Sequence, residues 1–402
     1  MRIVADLHIH SRFSYACSRE MEAERLAWWA QRKGITLLGT GDFTHPIYLT
    51  YLKQHLEPAE DGVFRLRAGE RDVRFLLTVE ITNIFRQDGR LRKTHTLIFA
   101  PSFAVVERLN VQLAKHGNLA IDGRPTLKCS ARELLMLVKE VAPECEVIPA
   151  HVWTPWFSVL GALSGFDSLA ECYGDDARYI RAVETGLSSD PAMNWRLSSL
   201  DGVALISNSD AHSPRKLGRE ANVLDCDLTY PGVMAALLGR DPKRFLYTLE
   251  FFPEEGKYHL DGHRQCQVRL FPGETRKTQG LCPACGKKLT VGVLHRVDLL
   301  ADRKPGYEPL SFVPARHLLP LEEIIALAMG KRPAAKSVQA EYNRLLDVYG
   351  SELAILLDCT EAELAEHTPP RIVQGIMQVR SGTLRIQPGY DGEYGTITLF
   401  EQ

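Results

Sequence analysis

Two periods of apolar and polar residues alternate along the chain as far as residue 252. Short apolar runs of strand length, at Ile3 to Ala5, Ile35 to Thr40, Phe75 to Val79, Glu146 to Ala150, Tyr179 to Val183 and Val203 to Ile206, each run into polar residues, and a further run, Thr96 to Phe99, is entered directly from His95. Between several of them lies helical spacing. Met21 to Lys33 sets Leu26, Trp29 and Ala30 on one side and stops at Gly34, and about Ala104 to Ala114 and Ala131 to Val141 follow the same rule. Strand, polar cluster, helix, repeated, is the order of an α/β barrel-like domain, whose strand-end rim is where catalytic groups converge.

Near Pro253 the pattern changes. Leu281-Cys282-Pro283-Ala284-Cys285-Gly286 is a zinc-knuckle turn, and His263-Arg264-Gln265-Cys266 repeats the spacing upstream with His in the first place. Together they give His263, Cys266, Cys282 and Cys285 as ligands for one structural zinc, with His259 or His295 as alternatives to His263. A zinc there holds a segment too small to bury a core of its own. From Pro320 the spacing turns helical, over Leu321 to Met329, Val338 to Tyr349, Glu352 to Leu357 and Ile372 to Val379, with a capping box at Thr360 to Glu363. Thr383 to Gln387 and Gly395 to Phe400 alternate like a short closing hairpin, and the strand-like run ends at Gln402.

What the strand ends carry decides the chemistry. Asp6-Leu7-His8-Ile9-His10 leaves the first strand, and alternation puts His8 and His10 on one face with Asp6 behind them. Asp42, Glu80, His95, His151, Asp210 and His212 stand at later strand exits. A single strand-end histidine is most simply a cap or a satisfied rim residue, but a series of metal-ligand types at successive exits is not. His8, His10, Asp42, Glu80, His95, His151, Asp210 and His212 exceed the needs of one four-coordinate ion, so two or three divalent ions (Zn, Mn or Mg) are expected, with Glu80 as a bridging carboxylate. Such a cluster acts as Lewis acid on a phosphoryl oxygen and makes a bound water acidic, so phosphate-ester hydrolysis is the first reaction class. No glycine-rich phosphate loop and no nucleophile elbow supports NTP-driven or serine chemistry.

Composition narrows this further. The chain has 402 residues, 45% hydrophobic and 24% charged, an ordinary globular balance. No apolar run is long enough to span a membrane and the N-terminus lacks an apolar signal region, so a cytoplasmic protein without membrane contact is expected. Nine cysteines, mostly isolated, suit buried thiols in a reducing compartment. A net charge of −2 argues against polyanion binding by the whole chain, yet Arg65 to Lys93 holds eight Arg/Lys against four Asp/Glu, and His263 to Lys304 nine against three.

DLHIHS at the start, the strand-end Asp42, Glu80, His95 and His151, and SDAH at Ser209 to His212 resemble the polymerase and histidinol phosphatase (PHP) superfamily. The closer resemblance is to the endonuclease Q family. It runs through EITNIFRQDGRLRKTHTLIFAPS, IPAHVWTPWFSVLG, AVETGLSSDPAMNWRLSSLDG, NSDAHSPRKLGREAN, the segment from KYHLDGHRQC to CPACGKKLTVGVLHR, and PGYDGEYG. The resemblance implies a distorted (βα)7 PHP barrel with a small zinc-binding domain and a helical C-terminal domain. Along this chain these become residues 1–252, 253–312 and 313–402. It also implies a DNA-repair endonuclease that nicks DNA 5′ to deaminated bases (uracil, hypoxanthine, xanthine) and abasic sites. Two departures concern the metal site: Phe43 follows Asp42 where many PHP proteins have His, and Tyr15 and Ser18 occupy a loop that often carries another. Whether Asp42 or His45 binds metal is therefore left open, as is a replication-clamp partner, for which no terminal peptide is visible.

The residues carry a DNA reading of their own. Arg86, Arg90, Arg92 and Lys93 lie between two ligand strands, and Lys287, Lys288 and Arg296 lie on the zinc segment, all candidates for phosphates. Trp153, Trp156, Phe157 and Trp195 offer flat rings for a flipped base, and Glu184, Ser188, Ser189 and Asn194 are candidates to read its edge. Among the catalytic candidates Asp210, His8, His10, Glu80 and His151, Asp210 is the one whose loss should abolish cleavage. The rival readings are a phosphatase for a small phosphomonoester, which needs the cluster alone, and a damage-binding protein with a structural metal site.

Overall fold

In the computed structural model, residues 1–68 and 72–400 are described. The Arg2–Asp6 strand sits at the middle of a mixed sheet, parallel to Leu37–Gly39 and antiparallel to Ala221–Asp225. Outward from Leu37–Gly39 come Arg74–Gln87 in parallel, then Arg90–Ala100 and Glu146–Pro149, each antiparallel to its neighbour. On the other side Ala221–Asp225 pairs antiparallel with Phe245–Glu250. Ala182–Glu184 and Ala204–Ile206 form a separate parallel pair, linked to the rest where Val152 N–H donates to the Glu184 carbonyl at 3.0 Å. Each of these strands gives a side chain to one apolar cluster that includes Ile3, Leu37, Leu76, Phe99, Ile148, Ala182, Ile206, Leu224 and Phe245, and the Tyr230–Gly239 helix packs into it through Val233 and Leu237.

The helices start and stop where their sequence provides for it. Ala131–Val141 opens on a reciprocal capping box between Ser130 and Glu133, and Phe103–Leu113 on a Ser102 cap. Ala23–Lys33 ends at Gly34 with φ 89°, a left-handed C-cap that glycine adopts without steric cost. Their apolar faces join a second cluster that continues through Leu26, Phe75, Leu134 and Ile324.

One region departs from the expected strand-then-cluster plan. Arg74–Gln87 does not end at Glu80; it runs on and pairs with Arg90–Ala100 through eleven residue pairs, with Glu80 opposite Leu97 and Thr82 opposite His95. The cause is Asp88-Gly89, both at positive φ (51° and 74°), a two-residue hairpin turn whose twist suits the strands it joins. Glu80 and His95 are thus delivered from inside a ladder rather than from loose strand ends.

Beyond residue 252 the chain stays tied to this body. Asp261–His263 and Val268–Leu270 form a small hairpin. Ala315–His317 adds in parallel to the Phe245–Glu250 edge, so the strand just after the 312/313 boundary belongs to the main sheet. The helices Leu321–Met329, Lys336–Tyr349, Glu361–His367 and Pro370–Ser381 follow, then the Arg385–Gln387/Thr396–Thr398 hairpin. Glu401 and Gln402, the end of the strand-like run, lie outside the described residues. Lys33 Nζ meets Glu352 Oε2 at 2.6 Å with both side chains buried, and Glu352 also accepts from Tyr342 Oη and Leu321 N–H. No described helix is long and apolar enough to cross a membrane.

Candidate metal centre and nucleic-acid interface

Two ligand sets meet on one carboxylate. His10 Nε2 stands 3.2 Å from Glu80 Oε2 and 3.0 Å from Asp210 Oδ1, and His8 Nε2 is 3.5 Å from each. On the other oxygen, Glu80 Oε1 is 2.6 Å from His95 Nδ1 and 2.9 Å from His151 Nε2, which are 3.3 Å apart. Ligand atoms around a cation at bonds of about 2.1 Å stand roughly 3.0–3.4 Å from one another, close to these spacings apart from the shorter 2.6 Å Glu80–His95 contact. His8 Nε2, His10 Nε2 and Asp210 Oδ1 are buried without a hydrogen-bond partner, as groups reserved for a cation would be. The residues present fit divalent metal.

The far sides of the rings are held. His8 Nδ1 faces both oxygens of Glu184 at 3.0 Å, and Glu184 also accepts from His151 N–H at 2.8 Å and Asn208 Nδ2 at 2.9 Å. His10 Nδ1 lies 3.2 Å from Asp42 Oδ1, whose other oxygen accepts from Ser11 N–H, Ser11 Oγ and Ser14 Oγ. Asp6 accepts from Ser209 N–H and Gly218 N–H, pinning the loop that bears Asp210. Such partners fix which imidazole nitrogen faces the metal. The backbone is strained at the same places: Asp42, His151 and Asp210 all have positive φ (49°, 28° and 47°). Gly186 is required beside them, since a Cβ there would meet His151 Cβ at 2.4 Å.

The electrostatics follow from packing carboxylates and imidazoles out of water. Burial disfavours charge on His8, yet Glu184, Glu80 and Asp210 outweigh it and hold His8 well above its usual value; His10 behaves alike, through Asp210, Asp42 and Glu80. Burial also works against the Glu80 anion, but His95, His8 and Arg124 keep it well below the usual carboxylate range. His95 is pushed down to about 4 by burial, so its ring is neutral and free to ligate.

Several expected ligands and contacts lie elsewhere. Asp42 stands outside both sets because its oxygens are taken by Ser11, Ser14 and His10. His45 caps the Pro46–His55 helix and stacks on Phe13 at 4.4 Å. His212 turns Nδ1 to the Asp210 carbonyl at 2.9 Å and is in neither set. Arg92 is buried, donating to the Gly165 carbonyl and to Glu171, with its guanidinium 4.1 Å from the Phe166 ring. Arg296 is spent on the Leu160 and Phe166 carbonyls and Asp167. Trp153 is wholly buried and donates to Asn194, whose amide donates to Ser189, so these three form a core network. Trp195 packs on Phe312 beside a separate cavity lined by Leu200 and Tyr307. Glu184 sits behind the ligands, fully buried, with its oxygens on His8, the His151 N–H and Asn208.

Other residues do face outward. Arg86, Arg90, Lys287 and Lys288 are exposed, Ser188 is half-buried, and Arg71, counted in the first basic run, lies outside the described residues. Phe157 lies tilted against His95 at 4.9 Å with Lys93 Nζ 5.0 Å from its ring, and Trp156 is 44% exposed. Two cations were missed by sequence reasoning. Arg124 donates to Glu80 Oε2 at 3.0 Å, and Arg219 donates to the Ser209 carbonyl at 2.7 Å. Arg219 sits within the NSDAHSPRKLGREAN stretch but was not singled out there, and Arg124 lies in a loop with only Asp122 and Gly123 as neighbours of note.

In the second cluster, one ligand atom from each of His263, Cys266, Cys282 and Cys285 lies within 4.8 Å of the others, with Cys285 Sγ 3.4 Å from His263 Nδ1. His295 instead binds Asp261 at 2.5 Å. Burial raises the Cys282 thiol, but the N–H groups of Ala284 and Cys285 outweigh it and bring it to about 7, which favours the thiolate that zinc needs.

Known proteins resemble this chain over its whole length. The chain is 32% identical to a crystal structure of the lesion-specific endonuclease PfuEndoQ from Pyrococcus furiosus, with TM-score 0.89 over 99% of this chain and 95% of that one. It matches protein YqxK of Bacillus subtilis at 30% identity, covering 98% of this chain and 99% of YqxK. The chain belongs to the endonuclease Q family. A second family structure, endonuclease Q in complex with a 27-mer duplex substrate with an abasic lesion at the active site, matches at TM-score 0.87 and 32% identity over 100% of this chain and 97% of that one. The model of the MJ0043 C-terminal domain matches residues 320–383. Protein MJ0043 of Methanocaldococcus jannaschii is 34% identical over 262 residues, 63% of this chain but only 32% of MJ0043, so the match spans about a third of that relative.

Proposed function

We propose that this chain is a DNA-repair endonuclease that hydrolyses the phosphodiester 5′ to deaminated bases (uracil, hypoxanthine, xanthine) and abasic sites. The observation that carries it is the pair of ligand sets sharing Glu80, in a chain alike from end to end to a structure holding abasic duplex at its active site. Two divalent ions there supply Lewis-acid charge to a phosphoryl oxygen and lower the pKa of water at the site. His8, His10, Glu80 and Asp210 hold one ion, and Glu80, His95 and His151 the other. Each of these ions is Zn, Mn or Mg, and His263, Cys266, Cys282 and Cys285 take one structural Zn.

The chain's own groups orient the substrate. Arg124 uses one N–H on Glu80 and turns the rest of its guanidinium fork to a phosphate oxygen. Arg86, Arg90, Lys93, Lys287 and Lys288 take the flanking phosphates, while Trp156, Phe157 and Ser188 border the extruded nucleotide. Asp42 and Glu184 keep the histidine rings aimed. The apolar cluster drawn from the nine strands named above supports a distorted PHP barrel, with 253–312 as the zinc-binding part and 313–402 as the helical part. The protein acts in the cytoplasm. A small-phosphomonoester reading leaves the exposed cations and rings without use.

The test is a labelled duplex with one deoxyuridine or abasic site beside an undamaged control, with and without Mn or Mg. A single nick 5′ to the lesion is expected. Equal cutting of the control, or phosphate release from a monoester alone, would sink the proposal.

A further inference from the structure

Next to the metal centre runs a line of aromatic rings with one lysine, of which the proposed chemistry uses only Trp156, at its near end. It begins in the loop after His151. Thr154 Oγ is 3.1 Å from His151 Nδ1 and donates to the Trp156 carbonyl, and His95 N–H donates to the Phe157 carbonyl, so this loop is fastened to two ligands. Trp156 then meets Tyr258 edge-on at 5.8 Å, across the join to the zinc segment. Lys257 Nζ lies 5.9 Å from the Tyr258 ring and 5.5 Å from the Tyr394 ring.

Tyr394 is 71% exposed, yet its support is rigid. It follows a tight turn in which Tyr390 and Glu393 exchange both backbone hydrogen bonds, with Asp391 and Gly392 at positive φ (44° and 88°). Asp391 accepts from Arg264 N–H and Thr290 Oγ, and Gly392 N–H donates to the Lys257 carbonyl at 2.8 Å. Packing does not explain the rings: Trp156 and Tyr394 leave much of their faces in water, and Lys257 makes no ion pair among the described residues. Flat exposed rings with a cation between them match the chemistry of unpaired nucleobases, which stack in any sequence while the cation meets the backbone.

We propose that Trp156, Tyr258 and Tyr394, with Lys257, form a stacking ledge for DNA bases left unpaired beside the lesion. The inference rests on the DNA-endonuclease reading and adds where the opened strand lies. A base unstacked at the cut has lost its neighbours, and a ledge starting at the ligand loop offers replacement faces without reading sequence. Stacking of one base is worth on the order of five- to a hundredfold in affinity.

The test uses the full chain without added metal and an abasic duplex carrying 2-aminopurine next to the lesion, against the fully paired duplex. Binding is followed by anisotropy, and stacking by 2-aminopurine emission. Tyr394→Ala and Trp156→Ala should each weaken abasic-duplex binding about tenfold and remove the emission quench, while Tyr394→Phe keeps both. Lys257→Ala should lower the salt dependence by about one phosphate contact. Unchanged affinity and emission in Tyr394→Ala would overturn the ledge and leave the functional reading standing. Equal losses on the paired duplex would overturn it too, as a mere backbone contact. If wild type fails to prefer abasic duplex, the functional reading falls and takes the ledge with it.

Discussion

Glu184 separates two accounts of the site, and Glu184→Gln is the perturbation that decides between them. By residue type it is a candidate to read a base, but in the structure all its partners are donors belonging to the metal centre: His8 Nδ1 at 3.0 Å, His151 N–H at 2.8 Å and Asn208 Nδ2 at 2.9 Å. An amide of the same shape turns an N–H group toward one of these donors and removes the charge that steadies His8. Losing a partner of this kind costs about 10- to 100-fold in metal affinity, or roughly 1.4–2.7 kcal/mol. The assay is nicking of abasic duplex across a Mn titration, with Mn binding measured separately by calorimetry. The half-saturating Mn concentration should rise 10- to 100-fold, most of the rate should return at saturating metal, and the order of preferred lesions should stay as in wild type. Unchanged Mn binding together with an altered lesion preference would refute the reasoning and return Glu184 to the base.

Asp210→Asn should lower nicking by about a thousandfold or more, because a ligand carboxylate facing His8 and His10 is replaced by a weak one; circular dichroism checks that the fold is kept. Arg124→Ala should cut the single-turnover rate by about 100-fold with Mn content unchanged, and Arg124→Lys should restore only part of it, since a point charge does not reproduce the fork. Cys282→Ser should release about one equivalent of zinc, read by mass spectrometry, and open residues near 263–290 to protease while leaving the first-strand ligands in place. Lys33→Met should destabilise the chain by about 3–5 kcal/mol in urea unfolding, since it strands the Glu352 charge in the core. Burial alone would raise the Glu352 pKa, but Lys33, Tyr342 and the Leu321 N–H hold it below its usual value. Its contribution is therefore full at neutral pH and lost as pH falls through the folded value, so the two stability curves should converge in acid.

The sequence revealed which side chains gather at the site better than which atom each one faces. His8 and His10 were legible because strand alternation fixes their common side, and the His263, Cys266, Cys282 and Cys285 set was legible because the turn and the thiolates share one short motif. Depth was not legible. A carboxylate at a strand exit looks the same whether it meets a cation or the far nitrogen of a ligand, and only the packing of Ser11 and Ser14 around Asp42, or of Asn208 and His151 around Glu184, tells them apart. Cations misled for a related reason. Arg86 and Arg92 read alike in a basic run, but along a paired strand neighbouring residues face opposite sides, and Arg92 falls on the side that meets Gly165, Phe166 and Glu171. That strand is longer than its apolar run suggests, although Asp88-Gly89 is a hairpin signal; reading it would have extended the ladder past Glu80 and set Arg86 and Arg92 on opposite faces. Arg124 and Tyr394 lie beyond such rules, since each reaches its place through a loop closed by contacts far along the chain.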